Sequence, residues 1–319
     1  VTPDTALAKE AGLELGIKES IVVNDRMETS VPDIYAAGDA VQVKHYVTGN
    51  DALISLAGPA NKQGRIIADN ICGGDSRYLG SQGSSVIKVF DMTAATTGIN
   101  ETNAKKSGLE VDTVILSPMS HAGYYPGGKV MTMKVVFEKE TYRLLGAQII
   151  GYEGVDKRID VLATAIHAGL NATQLKDLDL AYAPPYSSAK DPVNMAGFMI
   201  DNIAKGTLKQ WHLEDMDKIS KDKDVVLLDV RTVGEFSMGH IDGFKNIPVD
   251  ELRERNSEIE KGKPVYLICQ SGLRSYIASR ILEGNGYETY NFSGGFRFYD
   301  AVVNDRALIE RAYACGMDY

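Results

Sequence analysis

Val265-Tyr266-Leu267-Ile268-Cys269-Gln270-Ser271-Gly272-Leu273-Arg274 is an apolar strand run that stops at a cysteine and passes through a short loop into a helical pattern, Arg274–Glu283. A loop from a strand end to a helix start turns successive backbone N–H groups inward and makes a concavity for negative charge. The amino end of the helix adds partial positive charge. A cysteine acts as a nucleophile in its thiolate form. A persulfide on Cys269 would rest in the same cradle, built from Gln270, Ser271, Gly272 and Leu273, with Arg274 closing the loop as a fixed positive charge. A lone cysteine that ends a strand is more commonly buried and inert, so the surrounding residues carry the weight.

Residues 209–319 continue the alternation. Val225–Asp229 is a second buried-strand run, and helical patterns cover Val249–Glu254 and Ala301–Tyr313. Strands alternating with helices predict a parallel sheet. Asp229-Val230-Arg231, Glu235-Phe236, Gly239-His240-Ile241 and Asn246-Ile247-Pro248 precede the cysteine loop, and Gly294-Gly295-Phe296 follow it. This ordered set closely resembles the rhodanese family over residues 212–302. The resemblance implies an α/β sulfurtransferase fold and transfer of a sulfane sulfur through a cysteine persulfide. Cys269 would be the nucleophile and Arg274 the loop charge, while Asp229, Arg231 and Glu235 would fix the loop from neighbouring turns. The related dual-specificity phosphatases use a longer loop. Here four residues separate Cys269 from Arg274, a smaller cradle that suits sulfur better than phosphate.

A second informative block is Thr29-Ser30-Val31-Pro32-Asp33-Ile34-Tyr35-Ala36-Ala37-Gly38-Asp39-Ala40. It reads as a strand over Asp33–Ala37 ending in Gly38-Asp39. Glycine lets a backbone approach a ligand closely, and the Asp39 carboxylate can accept hydrogen bonds from sugar-like hydroxyls. Leu53–Cys72 follows as a helix, opened by Gly58-Pro59 and stopped by Gly73-Gly74. The block resembles the second FAD motif of the pyridine nucleotide–disulfide oxidoreductase family, in which the aspartate holds the ribityl chain. Leu56–Arg65 resembles the form found in coenzyme A-disulfide reductases and NADH oxidases. By that resemblance Gly38, Asp39, Ala57, Pro59 and Ala60 would bind FAD, with N–H groups near Ala57 and Ala60 facing the flavin pyrimidine. No G-x-G-x-x-G fingerprint follows a strand, and the redox cysteine near the start of those enzymes is absent. The first residue is Val1. The expectation is therefore the carboxy-terminal part of a longer flavoenzyme, with NADH bound outside these residues.

Between the two blocks, strands are predicted at Ser85–Phe90, Val111–Leu116, Lys129–Phe137 and Leu144–Ile150, and helices at Arg158–Ala168 and Val193–Ala204. Tyr182-Ala183-Pro184-Pro185-Tyr186 cannot be helical. His121–Gly127 and Tyr182–Ser187 make this segment resemble the dimerisation domain of the same enzymes. The resemblance implies a homodimer in which Tyr124 and Tyr182 reach the partner's active site and hold coenzyme A. Plain interface packing is the other reading of these tyrosines. His167 reads as structural, and His45 has no partner in the sequence reading. With Gly206-Thr207 as linker, the expected domains are 1–79, the carboxy-terminal part of a Rossmann-like FAD-binding domain; 80–208, an α+β dimerisation domain; and 209–319, an α/β rhodanese domain with a central parallel sheet.

The composition adds exclusions. Thirty-four Lys and Arg against 43 Asp and Glu give a formal charge of −9, which argues against nucleic acid as a partner. No apolar run approaches the roughly 18–20 residues of a membrane span. Cys72, Cys269 and Cys315 are too few for a disulfide framework and fit a reducing, cytoplasmic setting. No metal site is expected. The order of segments resembles the coenzyme A-disulfide reductase–rhodanese fusions. It implies FAD- and NADH-dependent reduction of coenzyme A disulfide, coenzyme A persulfide or polysulfide, with small sulfur compounds as substrates. The alternatives are a stand-alone thiosulfate-type sulfurtransferase and a rhodanese-fold binding module.

Overall fold

The structure, a computed structural model, describes residues 2–314, with side chains to Asp305. Its strands form three separate sheets. The first is small: Val41–Lys44 lies between Ile21–Val22, parallel to it, and Asp51–Ala52, antiparallel to it. The helix Ala57–Ile71 follows.

The second sheet is wholly antiparallel, in the order Ser85–Val89, Met92–Gly98, Leu144–Gly151, Met131–Glu138, Val111–Leu116. Met131, Met133, Val135 and Phe137 recur at every second position and are fully buried, as a pleated strand with one covered face requires. Helices Val155–His167 and Pro192–Ala204 pack against this sheet. The second helix starts cleanly. Asp191 caps it through the Val193 N–H at 3.0 Å, and Pro192 occupies its first turn.

The third sheet is wholly parallel, in the order Lys245–Asn246, Val226–Asp229, Val265–Ile268, Thr289–Phe292, Gln210–Trp211. Val265, Leu267 and Ile268 have no exposed surface. Such a near-continuous apolar strand belongs in the middle of a parallel sheet covered on both faces.

Three expectations from sequence change. Asp33–Ala37 is not a strand. Asp33 (φ +63°) and Gly38 (φ +77°) are left-handed and bracket the segment, so only Tyr35 makes an isolated bridge, to Glu28. Gly38–Ala40 is a 3₁₀ turn, and the strand comes after it. Met92–Gly98, unread in the sequence, is a strand in the interior of the second sheet; its Ala and Thr residues carry little apolar signal. Thr289–Phe292 and Gln210–Trp211 are likewise too short and too polar to be read alone.

The second and third sheets meet through polar contacts. Gln210 Nε2 donates to the Thr113 carbonyl at 2.7 Å and to Asp112 Oδ1 at 3.2 Å. His212 Nε2 lies 3.1 Å from the same carboxylate oxygen, and the Ile115 N–H donates to Ser293 Oγ at 3.0 Å. Burial pushes the Asp112 carboxyl upward, but the hydrogen bonds from His212, Thr113 and Gln210 and the attraction of His212 together outweigh it, and the net shift is downward. Asp112→Ala should cost about 1–3 kcal/mol of coupling between the two units. Calorimetry should then resolve two unfolding transitions; one unchanged transition would deny Asp112 this role.

Candidate active site

Cys269 directly follows the central strand Val265–Ile268 and is 1% exposed. Its Sγ receives the Gly272 N–H at 3.1 Å and the Ser275 hydroxyl at 3.2 Å. Gly272 makes the first contact possible. It is left-handed (φ +98°) and caps the helix Leu273–Gly284, so the chain reverses within the loop. Its carbonyl is held by Asn291 Nδ2 at 3.1 Å, and Ser275 Oγ lies at the same distance.

A second turn clamps the outer side of the loop. The Phe296 N–H donates to the Cys269 carbonyl at 2.8 Å, and the Arg297 N–H to the Gln270 carbonyl at 3.2 Å. Gly295 (φ +69°) allows this approach. A Cβ there would stand 2.7 Å from the Gln270 oxygen and the Ser271 nitrogen, and 2.8 Å from the Cys269 oxygen.

Two arginines flank the loop, and both are committed to carboxylates. Arg274 forks onto Glu235 with two bonds of 2.7 Å. That hydrogen bonding holds the Glu235 carboxyl at about 2, well below its ordinary value. Glu235 also completes a capping box with Thr232 at the start of helix Val233–Ser237. Arg231 is fully buried, donates to Asp229 Oδ2 at 2.9 and 2.7 Å and to the Gly239 carbonyl at 2.8 Å, and lies 3.8 Å over the Phe296 ring. Asp229, Arg231 and Glu235 thus tie the loop's neighbours together. The arrangement gives a buried sulfur two inward-facing groups, the Gly272 N–H and the Ser275 hydroxyl, with a paired cation nearby. Gln270, Ser271 and Leu273 complete the loop without touching Sγ. Ser275 and Asn291 were not found from the sequence. Ser275 sits six residues past the cysteine and was legible as a hydroxyl in the first helical turn; Asn291 lies on an unread strand.

A second site lies on the antiparallel unit. The Tyr124 and Tyr182 hydroxyls are 3.0 Å apart, on exposed side chains. The hydrogen bond with Tyr124 raises the Tyr182 pKa. Beside them is a cavity of about 530 Å³, bounded by Tyr182, Tyr186, Lys157 and Arg158. Arg158 is buried and organises this region. It donates to Asp191 Oδ2 at 3.0 Å, to the Ser120 carbonyl at 2.9 Å and to the Tyr186 carbonyl at 3.3 Å. One guanidinium thereby fixes both tyrosine-bearing segments to the cap of helix Pro192–Ala204.

The third set of residues surrounds the start of helix Ala57–Ile71. The Gly38 N–H donates to Gln63 Oε1 at 2.7 Å, and Gly38 lies next to Ala60. Asp39 is exposed and makes no side-chain hydrogen bond or ion pair among the described residues. The Ala60 N–H donates to the Leu56 carbonyl at 3.2 Å. The open amides are therefore those of Ala57 and Gly58, since Pro59 has none. A free carboxylate beside an open helix start fits a ligand with hydroxyls and an electron-rich ring. No cluster of metal-ligating side chains occurs among the described residues, and no helix among them is long and apolar enough to cross a membrane. Cys315 lies outside the described residues.

Comparison with known proteins matches three segments. Residues 84–192 match the dimerisation domain of the pyridine nucleotide-disulphide oxidoreductases, residues 1–64 the pyridine nucleotide-disulphide oxidoreductase family model, and residues 212–301 the rhodanese-like domain. A CoA-dependent NAD(P)H sulfur oxidoreductase of Pyrococcus furiosus is 39% identical over 193 residues, which cover 60% of this chain and 43% of that protein. The coenzyme A disulfide reductase of Staphylococcus aureus is 36% identical over 197 residues, covering 61% and 44%. Among solved structures, reduced CoADR-RHD of Bacillus anthracis aligns with a TM-score of 0.93 at 47% identity, over 96% of this chain and 55% of that one. An NAD-dependent persulfide reductase from A. fulgidus aligns with a TM-score of 0.85 at 42% identity, over 93% and 54%. The chain spans about half the length of these relatives.

Two outcomes follow from the loop geometry. Gly295→Ala must push the cysteine loop outward at a left-handed residue, so thiosulfate:cyanide sulfurtransfer should fall at least about tenfold, the equivalent of roughly 1.4 kcal/mol. Unchanged turnover would show that the clamp is dispensable. The Glu235–Arg274 pair sets an acid limit. A carboxyl depressed on folding stabilises above its ordinary value of about 4.5 and loses that contribution as pH falls through about 2. Urea-unfolding midpoints should decline across that window more steeply in the wild type than in Glu235→Gln; equal slopes would remove the pair as a cause.

Proposed function

We propose that this chain, in which segments of the pyridine nucleotide-disulphide oxidoreductase family are joined to a rhodanese-like domain, carries sulfane sulfur on Cys269. In this reading it forms, as a cytoplasmic homodimer, the sulfur-transferring and dimer-forming portion of a FAD- and NAD(P)H-dependent reductase. The substrates are coenzyme A disulfide, coenzyme A persulfide or polysulfide. The domains are 1–79, 80–208 and 209–319. The observation that carries the reading is the buried Cys269 Sγ with donors from Gly272 and Ser275. The names of the relatives support the choice of substrates.

The sulfur chemistry needs only exchange. The Cys269 thiolate attacks the outer sulfur of a donor such as thiosulfate. The new bond is the Cys269 persulfide; the bond that breaks is sulfur to sulfite, and sulfite leaves with the electron pair. An acceptor thiolate, coenzyme A in this reading, then attacks the outer persulfide sulfur and the Cys269 thiolate leaves. Nothing is oxidised or reduced overall in these two steps. The Gly272 amide and the Ser275 hydroxyl face the sulfur in both states of the cysteine. Tyr124 and Tyr182 hold the coenzyme A end through their hydroxyls. Gly38, Asp39 and the open amides at Ala57 and Gly58 would hold FAD, which would supply redox chemistry between NAD(P)H and a sulfur–sulfur bond.

Cys269→Ser keeps the loop and removes the sulfur nucleophile. Thiosulfate:cyanide sulfurtransfer should drop about a thousandfold or more, with the circular dichroism spectrum retained; turnover at the original level would sink the assignment. Sedimentation at micromolar concentration should give a dimer through the antiparallel unit, and a monomer counts against the assembly.

A further inference from the structure

Ser275 stands in the first turn of helix Leu273–Gly284 and has no exposed surface. Its Oγ lies 3.2 Å from Cys269 Sγ and 3.1 Å from the Gly272 carbonyl oxygen. A serine hydroxyl carries one proton, so it donates to only one of these at a time. Which of the two takes the proton decides what the residue does.

The surroundings of the carbonyl make that choice. A carbonyl oxygen has two lone pairs. The Tyr276 N–H donates to the Gly272 oxygen at 3.1 Å as the first rung of the helix, and Asn291 Nδ2 donates to it at 3.1 Å from the neighbouring strand. Both lone pairs are thereby taken. The Ser275 proton is left for the sulfur, whose other donor among the described residues is the Gly272 N–H at 3.1 Å. Bulk water does not reach the pair to replace the hydroxyl, because Cys269 is 1% exposed and Ser275 not at all.

We propose that Ser275 is a catalytic residue of sulfur transfer and that it speeds one half of the exchange only, the departure of Cys269 from its persulfide. The assignment rests on the sulfur-transfer reading above. When an acceptor thiolate or cyanide attacks the outer sulfur, a bond forms between acceptor and outer sulfur. The bond from the outer sulfur to Sγ breaks, and its electron pair passes to Sγ. Charge therefore grows on the atom that the Ser275 hydroxyl faces. The O–H donates to it more strongly as it leaves, and the proton stays on oxygen. A donor already placed where charge develops favours the transition state over the ground state. The loading step runs the other way. There Sγ attacks the sulfur donor and gives up its charge, so the same hydrogen bond weakens on the way to the transition state. A hydrogen bond that makes a thiolate a better leaving group makes it a poorer nucleophile.

The two half-reactions can be read separately. In a double-displacement reaction, kcat/KM for thiosulfate reports loading and kcat/KM for cyanide reports discharge. Ser275→Ala removes the hydroxyl and leaves Tyr276 and Asn291 on the Gly272 carbonyl. At the alkaline plateau of the thiosulfate limb, kcat/KM for cyanide should fall about fivefold to tenfold, while kcat/KM for thiosulfate is unchanged or up to about fivefold higher. Protein loaded with thiosulfate and freed of the excess should show the same slowing when cyanide discharges it in a single turnover. Ser275→Thr restores a hydroxyl and should bring the cyanide limb back to within about twofold of wild type. The opposite response of the two limbs in Ser275→Ala decides the matter even where the added methyl of Ser275→Thr is not accommodated. Equal falls in both limbs would mark Ser275 as structural and overturn the assignment, as would an unchanged cyanide limb. Wild-type chain with Cys269-dependent turnover whose limbs do not separate in Ser275→Ala sinks this assignment alone. Wild-type chain without that turnover sinks the sulfur-transfer reading and the assignment with it.

Discussion

The left-handed turn at Gly272 is the point on which the sulfur loop depends. Its N–H is aimed at Cys269 Sγ and its carbonyl is pinned by Asn291 on the neighbouring strand. A sulfur removed from water must find its donors in the protein. A backbone amide serves only if the peptide cannot rotate away. Here the carbonyl anchor from Asn291 and the clamp from Phe296 and Arg297 oppose that rotation. The site is therefore less a reactive cysteine than a fixed backbone with a cysteine placed in it.

Charge follows the same economy. Arg231, Arg274 and Arg158 all sit in structurally sensitive places, and each is paired with a carboxylate: Asp229, Glu235 and Asp191. Breaking a buried pair costs about 3–5 kcal/mol because one charge is stranded. The partners of Arg158 extend beyond its carboxylate to two carbonyls on separate loops. It joins the Tyr124 and Tyr182 segments at the moment it is neutralised. A methionine of similar length could fill the space but could not hold those loops.

How much of this was legible in the sequence depends on range. The cysteine loop was readable because strand, loop and helix are contiguous, and Val265–Ile268 coincides with the strand observed. Asn291 was not, because its role exists only once Thr289–Phe292 pairs in parallel beside that strand. Gly38-Asp39 was readable as a turn, but the segment before it, which reads as a strand, is not one. Motif recognition does not reveal that Asp33, a non-glycine, is left-handed. Met92–Gly98 failed for another reason. A strand flanked on both sides needs only small side chains where its neighbours crowd, and Ala94, Ala95 and Thr96 do not announce a strand.

The boundary between the last two units was the least readable feature, and it has the largest consequence. An interface held by Gln210, His212 and Ser293 against Asp112, Thr113 and Ile115 has no hydrophobic signature. The polar members of this set read as ordinary surface in their own segments. Polar contacts fix orientation more sharply than apolar ones, because hydrogen bonds weaken quickly when misaligned. The antiparallel unit thereby meets the parallel one at a defined edge, and that edge carries Asn291 and the back of the sulfur loop. Ser293 sits two residues beyond Asn291 and one before Gly294-Gly295. The same short segment thus docks the domain through Ser293, anchors Gly272 through Asn291 and clamps the loop through Gly295 and Phe296. A shift of the neighbouring unit at Ile115 therefore acts directly on the segment that also holds the sulfur loop.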